Sequence, residues 1–154
     1  RRKRMAKEES SGDPKYNDME ISKFVSLLMW DGKKNLAYTI FYESMDIIKE
    51  KTGQDPVSVF KKALGNVKPR VEVKARRVGG ATYQVPVEVP PERSLALAIR
   101  WILNNVRGKK GKPIAERLVS EFMESAKGEG ASVKKKEDTH KMAESNRAFA
   151  HYRW

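Results

Sequence analysis

The chain has 154 residues, with 32 lysines and arginines against 20 acids, a net charge of +12 and no cysteine. A chain of this length buries roughly 70% of the surface it exposes unfolded, so one domain with a real core is expected without staples. Disulfides, thiolate metal sites and cysteine nucleophiles are excluded, and no run of about 18 apolar residues is present to span a membrane.

Charge this far from zero repels itself unless a polyanion neutralises it. Nucleic acid is the expected partner, ahead of an anionic membrane. The N-terminus, RRKRMAKEESSGDPKYND, is basic and then polar. It lacks the apolar centre of a secretory signal, so a cytoplasmic location is expected. Arg1 in first place suggests that an initiator methionine is missing or was removed, and AFAHYRW at 148–154 reads as a true terminus. Residues 1–18 are expected to form a basic flexible arm. Arg1 to Arg4 are a block of like charge, and Ser10-Ser11-Gly12-Asp13-Pro14 breaks structure.

Helical periodicity begins near residue 20, where Ile21, Phe24, Val25 and Leu28 recur at three and four and Asp18 is placed to cap. Trp30-Asp31-Gly32-Lys33-Lys34 interrupts it. A longer helix follows from about Asn35, with Leu36, Ala37, Ile40, Phe41, Ile47 and Ile48 on one face and Gly53 as its stop. Asp55-Pro56 restarts a third helix that buries Val59, Phe60, Ala63 and Leu64, and Pro69 ends it.

Two period-two runs then flank Gly79-Gly80, VEVKAR before and YQVPVEV after, and predict a hairpin over 71–89. Matching apolar faces favours a three-residue loop, Gly79-Gly80-Ala81, that pairs Ala75 with Val85, Val73 with Val87 and Val71 with Val89. The valine face is then expected to rest on the helices while the tip, with Arg76, Arg77, Gly79 and Gly80, projects toward phosphates.

Pro90-Pro91 leads to a fourth helix with Leu95, Ala98, Ile99, Ile102, Leu103 and Val106 inward. The basic loop RGKKGK, 107–112, has no core residue. Pro113 opens a fifth helix with Ile114, Leu118, Val119, Phe122 and Met123. A charged sixth helix, about 132–147, has only Val133, Met142 and Ala143 to pack. The expected architecture is mainly α: a single domain of about six helices with a protruding two-stranded antiparallel β-hairpin. Its parts are the arm (1–18), the helical domain (19–147) and a basic, aromatic tail (148–154).

No catalytic pattern emerges. Gly79-Gly80 lacks the Lys-Ser/Thr continuation of a phosphate loop. His140 and His151 have no ligand-spaced partner, and no G-x-S-x-G elbow occurs. Phe24, Phe41, Phe60 and Phe122 lie on apolar stripes and are read as core, with Trp101 at its edge. Tyr83, Tyr152 and Trp154 sit among cations, where stacking on bases and packing on neighbouring helices are equally open.

Asp31-Gly32-Lys33-Lys34, VEVKARRVGGATYQVPVEV at 71–89, ALAIRW at 96–101, and the region from VKKKEDTHKMAE (133–144) to AFAHYRW (148–154) together resemble ribosomal protein seven of the small subunit, bacterial type. The resemblance runs in order over nearly the whole chain. It implies a helical domain with a β-hairpin arm that binds the 3′ major (head) domain of 16S-type small-subunit rRNA and initiates head assembly. It also implies a place at the exit site beside E-site tRNA and mRNA, with small-subunit ribosomal proteins nine and eleven as neighbours. No enzyme activity and no cofactor are implied.

Carried over by motif, the rRNA candidates are Arg2, Lys3 and Arg4 of the arm, Lys33 and Lys34 after the first helix, Lys74, Arg76 and Arg77 of the hairpin, and Arg93. Lys134, Lys135, Lys136, His140, Arg147 and Arg153 complete them. Arg77, Gly79, Gly80, Tyr83, Tyr152 and Trp154 are the candidates nearest tRNA and mRNA. Most are expected to position the RNA through phosphates, with specificity left to RNA shape and unpaired bases. Ahead of the fourth helix this chain reads Pro90-Pro91-Glu92-Arg93-Ser94, where the family commonly carries further arginines at 90 and 94. Fewer phosphate ligands are therefore expected at that corner. Two competing readings are a DNA-bending protein with its ribbon in a groove and an RNA-acting enzyme. The ribbon tip lacks the proline or bulky apolar wedge of the first, and no convergent acid, base or metal set supports the second.

Overall fold

The structure is a computed structural model that describes residues 11–153. Six α-helices, one hairpin and a closing 3-10 helix follow one another: α1 (Met19–Leu28), α2 (Lys34–Thr52), α3 (Pro56–Val67), β1 (Val71–Val78), β2 (Ala81–Glu88), α4 (Pro91–Gly108), α5 (Ile114–Ala126), α6 (Ala131–Ser145) and the terminal 3-10 helix (Arg147–Tyr152).

The core is organised by phenylalanine. Phe24 of α1, Phe41 of α2, Phe60 of α3 and Phe122 of α5 are all fully buried. Phe60 meets Phe24, Phe41 and Phe122 edge-on at 5.5, 5.2 and 5.3 Å between ring centroids. Edge-to-face rings add about 0.5–1.5 kcal/mol per pair beyond their burial. One ring from each of four helices fixes how those helices meet, and Ile99, Ile102 and Val106 of α4 close the cluster.

Local signals set most boundaries. Asp18 caps α1, its Oδ1 accepting from the Glu20 and Ile21 amides at 2.9 and 3.1 Å. Its other oxygen meets Lys61 Nζ of α3 at 2.5 Å, so one carboxylate caps a helix and ties two together. Gly53 ends α2 with φ +66°, a left-handed conformation that only glycine adopts freely. Asp55 precedes Pro56 as expected, but its carboxylate accepts from the Ser58 hydroxyl at 2.8 Å rather than from a backbone amide.

Before α1, Asp13 knots the chain. Its Oδ1 accepts from the Asp18 amide at 2.7 Å, and its Oδ2 from the Tyr16 amide at 2.9 Å and the Tyr42 hydroxyl at 2.7 Å. Burial pushes this carboxyl up. The amides of Tyr16 and Asp18, the Tyr42 hydroxyl and the Lys15 amide outweigh that and hold it below the ordinary aspartate range.

Two side chains expected inside are outside. Leu36 is 54% and Met142 is 57% exposed. Leu36 lies in the first turn of α2, where it lines a shallow surface groove with Trp30 and Ile40. On α6 the buried residues are Ser132, Val133 and Ala143, so the packed face is narrower than the sequence suggested.

The hairpin register differs from the expected one. Val71 faces Glu88, Val73 faces Pro86, Ala75 faces Gln84 and Arg76 faces Tyr83, which leaves a two-residue Gly79-Gly80 loop. Both glycines have positive φ, +59° and +84°. This is the type I′ signature, whose twist matches the strands better than a three-residue loop. Turn chemistry therefore overrides apolar matching. Glu72, Lys74 and Arg76 share a face with Tyr83, Val85 and Val87, and on it Glu72 and Val85 are buried. The ribbon rests on α6 and the terminal 3-10 helix by this mixed face, not by a face of valines.

Candidate nucleic-acid interface

The buried glutamate at the ribbon root is balanced by Arg93, at the start of α4. Arg93 donates from Nε to Glu72 Oε1 at 2.6 Å and from Nη2 to Oε2 at 2.9 Å. This two-pronged fork pins β1 to α4. Hydrogen bonding to Glu72, then its charge, raises the Arg93 pKa above its already high ordinary value. Beside it the Ser94 hydroxyl, buried, donates to the Pro69 carbonyl at 2.8 Å. Position 94, one of the two short of an arginine, is thus a buried tie from α4 to the link between α3 and β1.

α6 supports the ribbon from the other side. The Arg70 amide donates to His140 Nε2 at 3.0 Å, which requires an unprotonated Nε2. Burial, then Lys136, then Arg70 press the His140 pKa below its ordinary value. His140 is thus a structural acceptor at the β1 root. Lys134 and Lys135 are exposed on the same helix and Lys136 is half-buried.

Adjacent arginines in a strand point opposite ways, and the ribbon separates Arg76 from Arg77. Arg76 turns inward, and its guanidinium donates to the Tyr152 carbonyl of the terminal 3-10 helix. Arg77 is exposed on the outer face. Tyr83, across from Arg76, stacks on Tyr152 with centroids 4.7 Å apart and planes 21° apart. Phe149 approaches the same ring at 5.3 Å. Beyond this pair the tip runs free of cover, with Gly79, Gly80, Ala81 and Thr82 exposed. Arg147 is exposed and pairs with Glu144 at 3.2 Å, and Arg153 is exposed beside Lys74 at the ribbon base. Lys74 and Arg153 thus stand side by side along the ribbon, Arg77 points from its opposite face, and His140 is committed to the β1 root. Arg2, Lys3, Arg4 and Trp154 lie outside the described residues.

Lys33 and Lys34 do not join the ribbon. Lys33 ends the α1–α2 turn and lines a groove with Arg107 at the far end of α4, and Lys34 opens α2. Arg93 and Arg107 lie 14 residues apart on α4, roughly 21 Å at 1.5 Å per residue. Arg107, not among the expected RNA ligands, lines the same groove as Lys33. Arg107 lies over the Trp30 ring at 5.3 Å and donates to the Leu27 carbonyl at 3.3 Å. The following loop is braced from α5. Arg117 donates to the carbonyls of Val106 and Lys109 at 3.1 and 2.6 Å, and Lys109 meets the fully buried Glu121 at 3.2 Å. Lys110 and Lys112 are left exposed. The charge run at 107–112 was the available signal.

Among the described residues no group of three or more His, Cys, Asp or Glu is placed to hold a metal, and no helix is long and apolar enough to cross a membrane.

A small helical domain that braces a glycine-tipped ribbon and spreads cations along it belongs to the class of proteins that present positive charge on a rigid arm. The sequence matches the family described as ribosomal protein S7p/S5e over residues 1–147. The chain belongs to this family of ribosomal, non-enzymatic proteins. Among its relatives, each named small ribosomal subunit protein uS7, one from Thermoanaerobacter pseudethanolicus is 61% identical over 142 residues, covering 92% of this chain and 91% of the relative. One from Leptospira biflexa is 59% identical over 143 residues, covering 93% and 91%. One from Thermotoga neapolitana is 54% identical over all 154 residues, covering 100% and 99%.

Proposed function

We propose that this protein is a structural constituent of the small ribosomal subunit that binds the 3′ major domain of its rRNA and initiates assembly of the head. The observation that carries this reading is the braced cationic ribbon. Glu72–Arg93 and His140–Arg70 fix its root, so Lys74, Arg77 and the bare glycine turn are presented without an ordering cost at binding. Exposed cations also stand away from the ribbon, Lys33 and Lys34 at the start of α2 and Lys110 and Lys112 after α4. Such separated cations suit a folded RNA that meets more than one part of the domain. Arg2, Lys3 and Arg4 add charge for the same RNA. The tip reaches the exit site, where E-site tRNA and mRNA pass. Ribosomal proteins nine and eleven of the small subunit are the neighbours, and the location is the cytoplasmic ribosome.

Most of these cations act on phosphates, so binding is steeply salt-dependent. With six to ten phosphates engaged, affinity falls by roughly 10³–10⁵ between 50 and 200 mM salt. The test is titration of the full chain with a head-domain rRNA fragment and with unrelated RNA of equal length at moderate salt. Clear preference for the head fragment is expected. Equal affinity for both contradicts the proposal.

A further inference from the structure

Resting on that RNA-binding reading, we propose that Tyr83 and Arg76 form a site for one unpaired nucleotide, and that Tyr152 of the same chain occupies it in the free protein. The terminal 3-10 helix has no buried residue. What docks it is a ring laid flat on Tyr83 and a carbonyl oxygen held by the Arg76 guanidinium. A planar ring and an acceptor oxygen within one residue are also what a nucleotide offers, as base and phosphate. The tail therefore reports the chemistry of the ligand that fits there.

The exchange has a direction. An arginine facing an anionic phosphate gains ion-pair attraction and a two-pronged geometry that a single bond to a neutral carbonyl does not offer. A base stacks on tyrosine with little regard to sequence. Lys74, two residues before Arg76 on the same face of β1, adds further charge beside this pair. The tail keeps Tyr83 in a stacking orientation and shields it from solvent. RNA must displace the tail, and that competition lowers the apparent affinity.

The test uses the full chain, a fluorescently labelled hexa-adenylate and anisotropy. Losing the Tyr152 ring removes a stacking competitor, so Tyr152→Ala is expected to tighten hexa-adenylate binding about two- to tenfold. Adding Tyr83→Ala to that variant is expected to erase the gain, while Tyr83→Phe keeps it. Unchanged or weaker binding by Tyr152→Ala, or a gain that survives Tyr83→Ala, overturns the proposal. In the wild-type chain, nuclear Overhauser contacts between the two tyrosine rings are expected to vanish on saturation with hexa-adenylate. Their persistence also overturns it. The head-domain fragment is titrated alongside. Intact head-fragment preference with no Tyr152 effect removes this site alone, whereas lost preference strikes the broader reading.

Discussion

The fork between Arg93 and Glu72 should show an unequal cost when either partner is removed. The Glu72 side chain is 11% exposed and that of Arg93 is 45% exposed. Arg93→Ala strands a carboxylate that water barely reaches. Breaking a fully buried pair costs 3–5 kcal/mol, and partial exposure lowers that to about 2–4 kcal/mol here. Glu72→Ala leaves a guanidinium that can turn to water and removes a desolvated charge, so the cost is nearer about 1–2 kcal/mol. The double variant removes both charges and should cost much less than the sum of the singles. Urea unfolding of the four proteins at neutral pH measures all three values. In a thermal scan each kcal/mol is worth about 2–4 °C for a domain of this size. Additive costs, or a Glu72→Ala loss as large as that of Arg93→Ala, would refute the claim that this ion pair braces the ribbon root.

Three further outcomes follow from the same geometry. Asp13 has a folded pKa below its unfolded one, so its contribution is present above about pH 4 and is lost as pH falls through the folded value; Asp13→Asn should be less stable at neutral pH and lose less than wild type in an acid titration followed by circular dichroism. His140 is also depressed, so its share of stability is full above about pH 6.5 and declines as pH drops through the folded value; the urea midpoint should fall on acidification toward pH 5.5 in wild type and fall less in His140→Gln. Gly80 sits at φ +84°, so Gly80→Val should cost about 1–3 kcal/mol and fray the turn, visible as faster amide exchange from 77 to 82.

What the sequence made legible was local. The four phenylalanines are core because their spacing puts each on a stripe, and Asp18 and Gly53 act at helix ends where a single side chain decides. The ribbon itself was readable from alternation, but its register was not. Face matching assumed one apolar and one polar side. The real ribbon has a mixed packing face, because Glu72 can be buried once Arg93, 21 positions along, supplies the counter-charge. Strand alternation separates Arg76 from Arg77, but which of them is taken up internally rests on a carbonyl of the tail 76 residues away. The Asp13 knot had a weak signal in Asp-Pro followed by Tyr16 and Asp18, yet one of its ties, the Tyr42 hydroxyl, lies 29 residues on. Leu36 fitted a helical stripe that continues past the helices it packs on.

Amide hydrogen exchange of the full chain, alone and bound to the head-domain rRNA fragment, reads the ribbon most directly. Amides around the tip, 77–82, and along α6, 134–145, are expected to slow on binding, because those are the surfaces offered to phosphate. Slowing confined to other parts of the domain, with the ribbon exchanging as fast bound as free, would mean that the arm does not touch RNA.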